Sequence, residues 1–117
     1  MTKAAHLSKA QANETFRATF DTNSASGLEW SITVAFYAAV HYVQAYFASK
    51  GQTYMSHKLR DSAIQRDVSV RAIYSDYRAL EDWSRDARYE HGGFIQGNLI
   101  YIRDRLDAVK RVIIPLL

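Results

Sequence analysis

From Trp30 to Ser49 no charged residue interrupts the chain, and the few polar positions in that run, Ser31, Thr33, His41 and Gln44, fall on different faces of a helix. A helix apolar on nearly every side is a buried one, so Glu29 to Lys50 is expected to form the centre post of a bundle. At about 1.5 Å per residue it spans roughly 30 Å, enough for other helices to pack along its whole length. Ser26, three residues before Glu29, has the spacing of a capping box, and Gly51 is placed to end the helix in a left-handed turn.

The flanking pattern is also helical. Ser8 and Gln11 have capping-box spacing, and Ala12, Phe16 and Phe20 follow at helical intervals, which predicts a first helix from about Ser8 to Phe20. The turn formers of Asp21 to Gly27 separate it from the centre post. Ser56 is a candidate cap for a short third helix, His57 to about Arg66, with Leu59, Ala63 and Ile64 inward. A fourth helix is expected from Asp67 or Ser69 to about Glu90, with Val70, Ile73, Tyr77, Leu80, Ser84 and Ala87 inward. Gly92 and Gly93 end it. The fifth, Gln96 to about Ile114, carries Leu99, Ile102, Leu106, Val109 and Ile113 and stops at Pro115. No segment alternates with period two between turn signals, and no internal repeat occurs, so the expectation is an all-α, four- to five-helix up-down bundle over residues 1–117.

Composition narrows the function classes. A chain of 117 residues is one domain with room for an ordinary core, and the absence of cysteine removes disulfides and thiolate metal sites. That absence, with no apolar run of signal-peptide length at the start and polar residues in the central helix, points to a cytoplasmic protein outside the membrane. The net charge of +3 permits an RNA partner without demanding one. No H-E-x-x-H spacing, glycine-rich phosphate loop or nucleophile elbow is present, so neither a metal nor a cofactor is expected.

Three residues of the fourth helix, Arg71, Arg78 and Arg85, recur every seven positions and so lie along one stripe, with Asp82 and Asp86 beside it. Much of such a stripe is ordinarily a solvated face of weak ion pairs, and Arg85 has Glu81 and Asp82 within helical reach. Yet Arg85 is followed six positions later by His91. A permanent forked cation suits a phosphate, and an imidazole gives and takes protons near neutrality, so the two make a minimal phosphodiester-cleaving set. His41 in the central helix reads first as a core histidine with one hydrogen bond, and His57 as a surface residue at a helix start. A small-molecule site around them is a further reading. The aromatic residues Trp30, Phe36, Tyr37, Tyr42, Tyr46 and Phe47 are expected in the core or on a partner face.

The run W-S-I-T-V-A-F-Y-A-A-V-H in the central helix, M-S-H-K before the third, and D-W-S-R-D-A-R-Y-E in the fourth, taken in this order, resemble the F-Y-A-x-x-H, S-H-K and A-R-Y signatures of one branch of the HEPN superfamily. The resemblance covers roughly residues 6–115. It implies a bundle that dimerises and acts on or near RNA. Active members of that superfamily cleave RNA without metal through an arginine, a neighbouring polar residue and a histidine, a pattern that falls here on Arg85, Asp86 and His91. The implied roles are proton transfer at the ribose 2′-hydroxyl for His91 and charge stabilisation for Arg85. The same resemblance allows a toxin and antitoxin arrangement with a small nucleotidyltransferase as partner, or a non-catalytic binding module. In the module, Tyr37, His41, His57 and Tyr89, with Arg78 near them, form a polar network or partner groove.

Overall fold

The computed structural model describes residues 1–89 and 93–117. Its elements are α1 (Lys3–Arg17), α2 (Ala25–Ser49), α3 (His57–Arg66), α4 (Tyr74–Tyr89) and α5 (Gln96–Ile113), with 3-10 turns over Arg71–Ile73 and Ile114–Leu116. There is no strand among the described residues, and the class is an all-α helical bundle, 40 × 23 × 23 Å in extent. None of its helices is long and apolar enough to cross a membrane, among the described residues.

Helix α2 is the centre post. It packs against α1, α4 and α5, and Ile32, Ala35, Phe36, Ala38, Ala39, Tyr42, Val43 and Phe47 are buried along it. Those side chains occupy more than one face, which is why the helix shows no polar stripe in sequence. Its end is a Schellman turn: Gly51 adopts φ 73°, the Gly51 amide donates to the Ala48 carbonyl at 3.0 Å and the Gln52 amide to that of Phe47 at 2.9 Å. Its start lies earlier than the capping-box spacing suggests. Ser24 is the cap, its hydroxyl accepting from the Gly27 amide at 2.9 Å. Gly27 is fixed by close approach, since a Cβ there would overlap the Asp21 carbonyl.

The first helix departs most from its expected form. Thr2 caps it, accepting from the Ala5 amide at 3.1 Å, and Ser8 lies exposed in its interior. The face turned inward is His6 and Ala10, while Ala12 is exposed and Phe16 stacks edge-on against Phe20 at the surface. Glu14 clamps α1 to two other helices: the Tyr42 hydroxyl of α2 donates to Oε2, and Lys110 Nζ of α5 to Oε1 at 3.0 Å.

Helices α3 and α4 set the position of the site. Ser56 caps α3 as expected, accepting from the Leu59 amide at 3.1 Å. Ala63 and Ile64 face inward, but Leu59 is 55% exposed and the charged Arg60 and Asp61 are buried instead. The inward residues of α4 and of the turn before it, Val70, Ile73, Tyr77, Leu80, Ser84 and Ala87, are all buried. In α5, Ile102, Leu106, Val109 and Ile113 are buried with Leu99 partly so.

Candidate functional site

The charged faces of α3 and α4 meet along an open groove of about 380 Å³, lined by Asp61, Ser62, Tyr74, Arg78, Glu81 and Arg85, with His57, Lys58 and Gln65 on its α3 side. Three residues singled out from sequence, His57, Arg78 and Arg85, are therefore brought to one place. The chemistry between them comes from Asp61, Glu81 and Arg60, of which the sequence reading named only Glu81, as an ion-pair partner for Arg85.

Arg78 is the hub. Its NH1 lies 3.1 Å from Asp61 Oδ2 and 3.3 Å from Glu81 Oε2, and its Nε lies 3.1 Å from Asp82 Oδ1. These contacts use NH1 and Nε and leave NH2 with no carboxylate partner among the described residues. Glu81 is only 3% exposed. Burial, then its bond to Asp61 and the charge of that carboxylate, raise its pKa to about 7 against the opposing pull of Arg78 and Arg85.

Arg60 is buried at 5% exposure beneath this cluster. It donates to His57 Nδ1 at 3.1 Å and to the Tyr54 carbonyl at 3.3 Å, with the Tyr77 hydroxyl more distant at 3.5 Å. It pairs with no carboxylate among the described residues, and its Nε finds no acceptor there. Because a guanidinium only donates, Nδ1 of His57 must accept, which places the proton of the neutral ring on Nε2. Burial first, then the charges of Arg60 and Arg88, lower the pKa of His57. Its Nδ1 stands 3.9 Å from Glu81 Oε1, close in distance but, with the ring neutral, not an ion pair.

Arg85 stands at the groove rim, half exposed, with a single 3.5 Å contact to Asp82 among the described residues. Asp86 is exposed on the same helix. His91, the third member of the expected catalytic set, lies outside the described residues.

The other sequence-derived positions lie elsewhere. Tyr37 is partly exposed on α2 and accepts from Arg88 NH1 at 2.6 Å; the same guanidinium lies 5.3 Å from the ring of exposed Tyr89. With Trp30, 55% exposed, these residues make an aromatic patch with an arginine in it. Trp30 and Tyr37 are thus at the surface, while Phe36, Tyr42, Tyr46 and Phe47 are in the core. His41 meets His6 of α1, Nδ1 to Nδ1 at 3.0 Å. Burial, followed by the charges of His6, Lys9 and Arg60, lowers the pKa of His41 to about 4, so the pair is neutral and one ring donates to the other.

No three histidine, aspartate or glutamate side chains are grouped to hold a metal ion among the described residues. The class that the fold defines is an all-α bundle carrying a buried ionic cluster under an open groove. Comparison with family models, curated proteins and solved structures gives no match to this chain.

Proposed function

We propose that this chain is a HEPN-like helical domain acting on RNA as a metal-independent endoribonuclease or toxin component, homodimeric and cytoplasmic. Arg85 and His91 are its catalytic pair, with Asp86 beside them. The observation that supports this reading is the state of Arg85, half exposed on an open groove and held by one long contact, so that its guanidinium is available to a phosphate. Lys58 and the Nε2–H of His57 add donors on the facing wall.

The test is cleavage of a mixed-sequence RNA in excess chelator. Wild-type protein is expected to leave 2′,3′-cyclic phosphate ends, and Arg85→Ala and His91→Ala are each expected to lower the rate by about 10²-fold or more at matched thermal stability. Cleavage unaffected by either substitution removes the catalytic assignment.

One observation favours a second reading. Tyr37, Arg88 and Tyr89 form a partly exposed aromatic and cationic patch of the composition found at protein interfaces. A non-catalytic dimeric module, including a partner of a minimal nucleotidyltransferase, would use it, and absence of cleavage across several RNAs selects that reading.

A further inference from the structure

We infer that the small pocket between α2 and α4 takes one guanine base, and that in RNA this base adjoins the phosphate held at Arg85; its placement beside the cut rests on the ribonuclease reading above. Glu29, Trp30 and Thr33 of α2 and Ala87 and Arg88 of α4 line an opening of about 180 Å³. Pockets for whole drug-sized ligands run to roughly 300–1,000 Å³, so this one suits a single ring system. Its shape follows from residue size. Thr33 and Ala87 are small and buried and make the floor, while the long side chains of Trp30 and Arg88 stand over it from different helices.

The first observation is a carboxylate without a partner. Glu29 and Arg88 share the pocket, yet Arg88 NH1 donates to the Tyr37 hydroxyl, and no ion pair joins the two among the described residues. The side chain of Glu29 has no donor there; only its main-chain carbonyl is engaged, by the Thr33 hydroxyl at 2.9 Å. A carboxylate offers two acceptor oxygens and no donor. Guanine is the base that places two N–H donors side by side on its Watson–Crick edge, and two such oxygens match them. Adenine and cytosine set an acceptor ring nitrogen beside their one amino group, and uracil flanks its single N–H with carbonyls.

The second observation is a pair of flat groups. The exposed indole of Trp30 and the guanidinium of Arg88 are both surfaces on which bases stack. Arg88 is already held by the Tyr37 hydroxyl, 5.7 Å from the centre of that ring, so little of its freedom remains to be lost on binding. Position then relates the pocket to the groove. Arg85 precedes Arg88 by three residues on α4, about 4.5 Å along the axis, and both guanidiniums lie near enough to His57 to lower its pKa. A base at Arg88 with its own backbone phosphate at Arg85 is the arrangement this spacing allows.

The experiment is calorimetric titration of wild type, Glu29→Gln and Trp30→Ala with guanosine, adenosine, cytidine and uridine monophosphates at matched thermal stability. Cuts are then mapped in an RNA holding one guanosine. Wild type is expected to bind guanosine monophosphate about tenfold or more tighter than the other three. Glu29→Gln should remove that preference, because an amide replaces one acceptor with a donor. Trp30→Ala should weaken all four by about tenfold and keep their order. In the RNA, wild type is expected to cut at a phosphate adjoining the guanosine, and Glu29→Gln to spread the cuts. Equal affinity for the four nucleotides, or a preference that Glu29→Gln leaves intact, overturns the site. No binding of any overturns it too and leaves the surface to the protein-partner reading. Guanosine monophosphate bound with no RNA cut overturns the ribonuclease reading and keeps the pocket as a site for the free nucleotide. Cuts unrelated to the guanosine overturn its placement beside the groove.

Discussion

His41 and Glu81 are titratable side chains pushed in opposite directions by the same cause, loss of water. His41 is held neutral, with its pKa near 4 in the folded chain. Its contribution is complete above the unfolded value of about 6.5 and is lost as pH falls toward 4. Glu81 is held protonated, and its contribution is complete below the unfolded value of about 4.3 and is lost as pH rises through about 7. Between roughly pH 4.5 and 6.5 the two slopes have opposite sign and offset each other. Glu81→Gln should therefore become more stable with rising pH across that window, and His41→Asn less stable, each by up to about 1 kcal/mol per pH unit relative to wild type. Urea unfolding at four or five pH values checks this, and parallel profiles for all three proteins would refute it.

At the level of helices, two ends were legible, at Gly51 and Ser56, whereas the caps Thr2 and Ser24 were passed over for later serines with capping-box spacing. Gly51 could be read because an αL terminus favours glycine, and Ser56 because its hydroxyl stands directly before an amphipathic run. Gly51→Ala is expected to cost about 1 kcal/mol, read as a lower urea midpoint, because alanine is strained at φ 73° while the space around that position is open. The first helix was misplaced for a physical reason. Ser8 and Gln11 have capping-box spacing by coincidence within a helix that Thr2 had already opened. Its inward face is a histidine and a small alanine rather than the phenylalanines, since what α1 docks against is His41 and the alanine-rich side of α2. The Asp67 or Ser69 start of the fourth helix was early because the chain makes a 3-10 turn over Arg71–Ile73 before the α-helix proper.

For the molecule as a whole, the core was readable from the pattern of apolar residues, but the groove was not, because it is made of charges that only tertiary packing buries. In α3, amphipathic spacing favours Leu59, yet Arg60 and Asp61 go inward since their partners, Tyr77, Arg78 and Glu81, arrive from another helix. Arg85 was legible by spacing, whereas the proton-bearing group beside it had no local signature. Glu14 is a comparable tie between α1, α2 and α5, joining them through Tyr42 and Lys110. Glu14→Ala strands a buried hydroxyl and an ammonium, and is expected to lower stability by about 1 to 3 kcal/mol, with amide exchange in α1 rising before that in α4. The same tie orders events during synthesis. Lys110 is made 96 residues after Glu14, so α1 is left without that anchor until α5 has followed it out of the ribosome.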